Sequence, residues 1–305
     1  MFKQKIISKA RSLGFDLIGF TKYQILKEEI NNLELWLSKK FHAEMKYMER
    51  NVEKRQDVSL ILPNCMSIIS LGMNYYINEN FEASDNSGNV SRYAWGKDYH
   101  LIIWEKLDEL IEYAKLENPN FEAKSYVDTG PVMDKVWAVK AGIGWQGKNS
   151  NIINKEIGSW FFISTILTNY DFKEYDNPIA DYCGTCTACI NACPTNAIVD
   201  NKVIDSNKCI SYLTIENKNE IPDEFIGKFK DWIFGCDICQ DVCPWNIKFS
   251  FPTESIEFNK IINKNILFSD IDNLDEQKFK TKFKDSPILR SKLKGIKRNS
   301  DFLKK

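Results

Sequence analysis

The sequence predicts an α+β protein in which a mixed α/β domain is followed by a cysteine-rich module and a basic, helical C-terminal segment. Apolar residues alternate between helical and strand spacing over the first half of the chain, eight of the nine cysteines lie between residues 183 and 243, and the last residues are rich in lysine. We therefore divide the chain into residues 1–175, 176–252 and 253–305. With 305 residues and 43% hydrophobic residues, the chain can bury a substantial core.

The first half of the chain alternates helices and strands. Apolar residues at intervals of three and four predict helices at 2–13, 23–39, 43–49, 101–116 and 132–141. Short apolar runs predict strands at 16–20, 65–76, 126–128 and 160–167. Residues 77–90 are polar and show no periodicity, so we predict a mobile loop there. The connections are long enough for helices between strands, but there is no regular βαβ repeat.

The cysteine-rich module begins with the run CGTCTACINACP, from Cys183 to Pro194. Its C-x2-C-x2-C-x3-C-P spacing is typical of bacterial ferredoxins, in which the fourth cysteine of a run binds the other cluster. A shorter run, CDICQDVCP, extends from Cys236 to Pro244, and Cys209 is placed to supply the cysteine that this run lacks. The spacing therefore predicts two [4Fe-4S] clusters.

Under this crossover arrangement each cluster takes one ligand from the other run. The expected ligands of the first cluster are Cys183, Cys186, Cys189 and Cys243, and those of the second are Cys193, Cys209, Cys236 and Cys239. A pair of zinc sites is the main alternative, because CxxC pairs also bind zinc, and disulfides are a more distant one. Cys65 lies far upstream in an apolar run, and we predict that it is a core residue.

Charge is distributed unevenly along the chain, although the formal net charge is only -1. Residues 278–305 contain eleven Lys or Arg and two acidic residues, a net charge of +9, which leaves about -10 for the rest. A basic segment of this kind suits a polyanion such as nucleic acid, although a solvated surface is the commoner explanation. No long apolar stretch is present near Met1 or elsewhere, so we expect a soluble, cytoplasmic protein with reduced thiols.

Two short motifs are incomplete. Residues Gly142 to Gly147 read GxGxxG, but a helix is predicted before them, and a strand occupies the place of the acidic residue that a dinucleotide site requires. The residues Asp98-Tyr-His100 begin like the DxHxxG motif of proteins that bind cobalamin through histidine, yet Ile103 stands where glycine is required. We therefore assign no cofactor to either motif.

Two further places carry candidate functional residues. Asp128 follows an apolar strand in the sequence VDTGP and precedes a turn. It can be the N-cap of the next helix or an acid that donates a proton from a pocket. A polar and aromatic patch follows the predicted loop, and binding groups concentrate on such loops when a rigid scaffold carries them. The patch contains Arg92, Tyr93, Lys97 and Asp98.

Taken together, these segments resemble the epoxyqueuosine reductases, cobalamin-dependent iron–sulfur enzymes that complete the tRNA nucleoside queuosine. The resemblance covers almost the whole chain. It rests on both cysteine runs and on YMERNVEKRQDVSLILPN from Tyr47, SRYAWGKDYH from Ser91, VDTGPVMDK from Val127, AGIGWQGKNSNII from Ala141 and FKDSPILRSKLKGIKRN from Phe283. Longer members of the family continue into helical repeats, so the resemblance leaves the extent of tRNA contact open.

The resemblance implies a nitroreductase-like α/β domain that holds base-off cobalamin beside a ferredoxin-like module. An external low-potential donor would reduce the clusters, and these would reduce the cobalt next to the modified anticodon base of tRNA. Asp128 would be the proton donor, and the basic segment would contact tRNA phosphates. The implied corrinoid-binding residues are Arg50, Ser91, Tyr93, Asp98, Asp128, Gly144, Lys148, Asn149 and Ser150. We expect the protein to act as a monomer without a membrane partner.

Three other hypotheses stay open at this point. A reductive dehalogenase would share the corrinoid and both clusters, but would release halide from an organohalide. A ferredoxin-type electron carrier would hold clusters and bind no cobalamin. A zinc-based tRNA-binding module would be colourless.

Overall fold

The computed structural model describes residues 1–81 and 85–305. In these ranges the α-helices are α1 (Phe2–Ser12), α2 (Lys27–Ser38), α3 (Val52–Gln56), α4 (Tyr99–Glu117), α5 (Asp134–Lys140), α6 (Ala188–Ala192), α7 (Ile210–Ile215), α8 (Ile238–Asp241), α9 (Pro244–Phe249), α10 (Phe268–Asp272), α11 (Glu276–Lys282) and α12 (Lys292–Leu303). The strands are β1 (Leu17–Lys22), β2 (Ser67–Asn74), β3 (Ser87–Val90), β4 (Ala123–Tyr126), β5 (Trp145–Gln146), β6 (Ile152–Ile153), β7 (Phe161–Thr168), β8 (Ile198–Asp200), β9 (Val203–Ile204), β10 (Trp232–Phe234) and β11 (Asn265–Leu267).

An antiparallel sheet with the order β1-β2-β7-β4 forms the core of the N-terminal part. Every residue of β2 is buried, because helices cover both faces of the sheet. On one face, Ile69 belongs to a core with Ile6 of α1 and Leu107 of α4. On the other face, Ile68 belongs to a core with Trp137 of α5. The two predicted buried strands are therefore confirmed as β2 and β7.

Residues suited to helix ends explain where the helices that flank this sheet begin and end. Gly14 follows α1 with a φ of +89°, a conformation that glycine adopts without strain. Asp98 caps α4, because its carboxylate accepts a hydrogen bond from the backbone N–H of His100 at 3.0 Å. The predicted helices that correspond to α1, α4 and α5 are confirmed. None of the helices within the described ranges combines the length and the apolar character needed to cross a membrane.

A second sheet connects distant parts of the chain. Its order is β10-β3-β11, with β10 parallel and β11 antiparallel to β3. Each of the three predicted segments contributes one of these strands. Phe234 of β10 and Ile266 of β11 belong to one core with Ile296 of α12. The basic C-terminal segment is therefore part of the packed structure and not a free arm.

This sheet corrects two predictions. The predicted loop at 77–90 contains β3, whose residues are all buried, and the C-terminal segment contains β11 as well as helices. Local sequence does not reveal either strand, because both obtain their hydrogen bonds from partners far along the chain. Residues 82–84 of the predicted loop lie outside the described residues.

Two predicted helices are shorter in the structure. The second begins at Lys27 and not at residue 23, because the backbone N–H of Leu26 donates to the carbonyl of Gln56 at 2.9 Å. The third, predicted at 43–49, is a 3-10 turn at Lys46–Glu49. The strand predicted to close at 126–128 is β4, which ends at Tyr126 and so stops two residues before Asp128.

Candidate active site and cysteine cavities

The cysteines of the module line two cavities, which we call the first and second cysteine cavities. The first has a volume of about 320 Å³ and is lined by Cys183, Cys186, Cys189 and Cys243. The second has a volume of about 270 Å³ and is lined by Cys193, Cys209, Cys236 and Cys239. The two sets are those expected from the crossover arrangement. Four thiols around a small cavity are the donor set that an iron–sulfur cluster requires, so both sets fit this group.

Short helices place these thiols. The helix α6 carries Cys189 and lies against α8, which carries Cys239. Cys243 is the N-cap of α9, where Pro244 occupies the first turn, a position that proline suits because its missing N–H is not needed there. Cys209 is the N-cap of α7. These cysteines lie at or near the first residues of short helices. In this way, thiols that are distant in sequence face common cavities.

The two cavities differ in their exposure. The first set contains the exposed Cys186 and the buried Cys243, whereas all four cysteines of the second set are partly buried. In the second set, burial raises the pKa of the Cys236 and Cys239 thiols well above the ordinary value. Because iron binds thiolates, cluster assembly in the second cavity must displace protons from these thiols. Cys65 belongs to neither set. It is buried in the core beside β2, where burial raises its pKa to about 11, so the prediction of a core residue is confirmed.

A large cleft adjoins the second cysteine cavity. It has two parts, of about 620 and 690 Å³, and Tyr47, Asp128 and Arg290 line both. Cys209 lines the smaller part of the cleft as well as the second cysteine cavity. Asp128 and a thiol of the second set therefore face a common space.

Asp128 lies in a turn at the wall of this cleft. Its φ is +53°, in the left-handed region that aspartate and asparagine tolerate better than other residues with side chains. The next helix, α5, begins at Asp134 with Met133 as its N-cap. The alternative in which Asp128 caps a helix is therefore wrong, because the turn ends well before the helix begins.

The Asp128 carboxylate accepts a hydrogen bond from the Tyr99 hydroxyl at 3.2 Å. Burial, together with the charge of Asp128, raises the pKa of Tyr99 far above its ordinary value. The hydroxyl therefore keeps its proton and donates it to the hydrogen bond. The Tyr99 ring is fixed in turn by stacking on Phe162, with 4.1 Å between ring centroids.

Other polar side chains surround Asp128. Arg290 forms an ion pair with Glu216, and burial raises the pKa of Tyr47 to about 12. Burial also raises the pKa of Asp134 to about 7. The Asp134 carboxylate accepts a hydrogen bond from the Thr165 hydroxyl at 2.5 Å. The cleft thus combines a carboxylate at its wall with cations and phenols that can contact a polar ligand.

Only part of the predicted corrinoid-binding set lines this cleft. Arg50 lines its larger part, and Tyr93 and Asp98 line its smaller part together with Asp128. Asp98 also accepts a hydrogen bond from the ring of His100, with 2.7 Å between its carboxylate oxygen and Nδ1.

The remaining predicted residues lie closer to the cysteines. Ser91, Asn149 and Ser150 line the second cysteine cavity, and Lys148 lines the first. Lys148 Nζ donates to the carbonyl oxygens of residues 184 and 186, at 2.8 and 2.9 Å. Gly144 lines neither the cleft nor a cysteine cavity. A Cβ at that position would lie 2.6 Å from the carbonyl oxygen of Ile153, so glycine is required there for packing.

Sequence reasoning missed several residues of the cleft, among them Tyr99, Lys135, Glu216 and Arg290. Lys135 and Arg290 fall in segments that carry the family resemblance, but nothing in their local sequence indicates a cavity. Glu216 enters the cleft only because α7 packs beside the C-terminal segment.

Two four-cysteine cavities beside an acid-bearing cleft, on a mixed α/β scaffold, define an iron–sulfur protein of the two-cluster class. Residues 182–246 accordingly match a family model described as "4Fe-4S double cluster binding domain", and residues 55–129 match one described as "Epoxyqueuosine reductase QueG, DUF1730". The chain is 48% identical over 304 residues to the epoxyqueuosine reductase of Leadbetterella byssophila, covering 99% of this chain and 98% of the relative. It belongs to the epoxyqueuosine reductase family, a family of oxidoreductases.

Solved structures agree with this assignment. A crystal structure of an epoxyqueuosine reductase with an epoxyqueuosine-modified tRNA-Tyr stem loop has a TM-score of 0.92 and 34% identity, and covers 99% of this chain and 80% of that chain. A structure from Bacillus subtilis, described as having an aspartate-bearing catalytic loop swung out of the active site, has a TM-score of 0.91 and 33% identity with the same coverage.

A more distant likeness concerns the fold alone. The catabolic reductive dehalogenase NpRdhA has a TM-score of 0.50 and 16% identity, and covers 83% of this chain and 32% of that chain. This likeness shows a shared fold and does not support the dehalogenase hypothesis. The match to a double-cluster domain favours iron–sulfur clusters over zinc in the cysteine module.

Proposed function

We propose that this protein reduces epoxyqueuosine to queuosine at the wobble position of tRNA anticodons, the last step of queuosine biosynthesis. The observation that carries the proposal is that Asp128 and Cys209 line one cleft, so that a proton donor and the end of an electron path face the same space. Membership of the epoxyqueuosine reductase family supports the substrate. The relative crystallised with a modified tRNA stem loop supports tRNA as its carrier.

The two cysteine cavities support an electron path through two clusters in sequence. The first set of cysteines would hold the outer cluster, since Cys186 is exposed and can be approached by an external low-potential donor. The second set would hold the inner cluster beside the cleft. Iron–sulfur clusters supply one-electron transfer when bound, and the cleft lies at the end of the path.

The cleft is also the place for base-off cobalamin, which the family resemblance implies. Its wall mixes aromatic and polar side chains, among them Tyr47, Tyr93, Arg50 and Asp98, and these suit the apolar ring and the amide groups of a corrin. When bound there, a corrinoid would supply two-electron reduction chemistry. Of the predicted set, Arg50, Tyr93, Asp98 and Asp128 would contact it, whereas Ser91, Asn149 and Ser150 line the second cysteine cavity and would lie beside the inner cluster.

Within this proposal, Asp128 acts as the proton donor. Removal of the epoxide oxygen as water consumes two electrons and two protons, and a carboxylic acid within reach of that oxygen can deliver one of these protons. The Tyr99 hydroxyl orients the Asp128 side chain toward the cleft. Residues 1–175 would then be the nitroreductase-like catalytic domain and residues 176–252 the ferredoxin-like module, with residues 253–305 in contact with tRNA. We infer that a monomer suffices.

The test is anaerobic incubation of the cluster-loaded protein with cobalamin, a low-potential reductant and tRNA that carries epoxyqueuosine, followed by mass analysis of the nucleosides. We expect queuosine to replace epoxyqueuosine. A parallel reaction with an organohalide should release no halide. Halide release without conversion of the nucleoside would instead favour a dehalogenase.

A further inference from the structure

Lys135 lies between the cleft and the inner cluster site. It is the second residue of α5, and it lines both the larger part of the cleft, with Asp128, and the second cysteine cavity. The side chain is exposed to these spaces. Its Nζ donates to the carbonyl oxygen of Ser150 at 2.9 Å and to Asn151 Oδ1 at 3.5 Å. Both acceptors are neutral, so they hold the ammonium group without cancelling its charge.

The charge of Lys135 is not neutralised by an ion pair with any carboxylate in the described ranges of the chain. The side chain of its neighbour Asp134 instead accepts a hydrogen bond from the hydroxyl of Thr165. Lys140 of the same helix, in contrast, pairs with Glu29 at 2.7 Å. Asp128 lines the larger part of the cleft together with Lys135, and Cys209 and Cys239 line the second cysteine cavity together with it.

The position of Lys135 in its helix is also unfavourable for stability. A cation in the first turn of a helix lies near the positive end of the helix dipole, where acidic residues are stabilising. Lys135 is thus an unpaired cation that faces the inner cluster site from a position where positive charge lowers the stability of the helix. This arrangement is understandable if negative charge arrives there during the reaction.

We propose that Lys135 compensates charge in electron transfer, its ammonium group stabilising the added negative charge when the inner cluster accepts an electron. The proposal rests on the proposed function, which places that cluster at Cys193, Cys209, Cys236 and Cys239. The step is the transfer of one electron from an external reductant to the oxidised cluster. No bond is broken and no proton moves. The attraction acts across the second cysteine cavity, which Lys135 lines together with the four cysteines.

The experiment is an anaerobic redox titration of the full-length, cluster-loaded protein, monitored by electron paramagnetic resonance. The variants are Lys135→Gln, which can still donate to the Ser150 carbonyl, Lys135→Met, and Lys135→Arg, which retains the charge. Lys140→Gln is the matched control on the same helix. Because only the inner cluster faces Lys135, one of the two reduction steps should move and the other should not.

We expect Lys135→Gln and Lys135→Met to make reduction of the inner cluster about tenfold less favourable, a shift of about 59 mV to more negative potential for one electron. Lys135→Arg and Lys140→Gln should keep the wild-type potentials. An unchanged potential in either neutral variant, or an equal shift of both clusters, would overturn the proposal. If wild-type protein fails to convert epoxyqueuosine but the shift is observed, the substrate assignment fails and the role of Lys135 stands.

Discussion

Asp237 and Arg92 form a buried ion pair that joins the N-terminal part of the chain to the second cysteine run. The Asp237 carboxylate accepts hydrogen bonds from the backbone N–H of Arg92 at 2.9 Å and from its Nη1 at 3.1 Å. The side chains are 6% and 1% exposed for Arg92 and Asp237, and the ring of Phe81 lies 4.8 Å from the guanidinium carbon. Because Asp237 lies between Cys236 and Cys239, this pair fixes the second cysteine run against the N-terminal part of the chain.

Replacement of Arg92 by methionine should therefore be strongly destabilising. The substitution leaves the buried Asp237 carboxylate without its cation, although the Ser91 hydroxyl and the backbone N–H of residue 92 still donate to it, and breaking a buried pair in this way costs about 3–5 kcal/mol of the free energy of unfolding. Anaerobic denaturant unfolding of the cluster-loaded protein measures the change.

Asp241→Asn is the matched control for this experiment. Asp241 accepts from the same guanidinium at 2.7 Å, but its side chain is 36% exposed, and pairs near solvent contribute about 1 kcal/mol or less. If both variants lose the same free energy of unfolding, the buried pair with Asp237 contributes no more to stability than the partly exposed pair with Asp241.

Asp134 should make stability depend on pH. Burial raises its pKa to about 7 in the folded state, whereas an aspartate in an unfolded chain titrates near 3.9. Between these values the folded protein holds a proton that the unfolded chain has released, so stability falls as the pH rises and levels off above about pH 7. In Asp134→Asn the melting temperature should change less between about pH 5 and pH 7, because the amide does not titrate. The variant should still fold, because the amide oxygen can accept the hydrogen bond from Thr165. If the melting temperatures of variant and wild type change with pH in parallel, Asp134 is not the source of the pH dependence.

The basic C-terminal segment should contain both tRNA contacts and structural cations. Lys292 and Lys294 are exposed on α12. If each neutralises one phosphate, replacing both by glutamine should lower the slope of log affinity against log salt by roughly two, with no change in stability. Binding of an anticodon stem loop at several salt concentrations measures the slope. An unchanged slope would place the RNA elsewhere.

Arg298 serves as the contrasting variant in this segment. Its guanidinium donates to the carbonyl oxygens of Leu213 and Asn219, both at 2.8 Å, so it ties α12 to the cysteine module. Arg298→Gln should lower the melting temperature and leave the salt slope unchanged. A lower slope at wild-type stability would instead identify Arg298 as a phosphate contact.

Cys209 provides the sharpest test of the ligand sets, because it stands alone between the two runs. Cys209→Ala should lose the inner cluster and keep the outer one, so that iron falls from about eight to about four atoms per chain. Cys65→Ala, which removes the buried thiol beside β2, should retain all the iron. Full iron content in Cys209→Ala would require another fourth ligand.

The parts of this site that depend on spacing could be predicted from sequence, and those that depend on distant pairing could not. The cysteine sets follow from a local pattern with known crossover geometry, whereas the local sequence around Asp128 fits a helix cap as well as an acid, and only the family resemblance implies the role of proton donor. The partner of Arg92 could not be found in this way, since Asp237 lies far along the chain. The strand β3 was hidden for the same reason, because its neighbours β10 and β11 come from other segments. Lys135 has no sequence signal, and its role is visible only from the two spaces that it lines.

The role of Asp128 as proton donor for reduction in the cleft is best examined with the Asp128→Asn variant. Asparagine tolerates the φ of +53° at this position, so the variant should fold and bind both clusters and cobalamin. Single-turnover conversion of epoxyqueuosine-containing tRNA, followed by nucleoside mass analysis, should be slower by roughly 10²–10⁴-fold, the usual contribution of a general acid. Conversion at the wild-type rate by the fully loaded variant would show that Asp128 is not the proton donor.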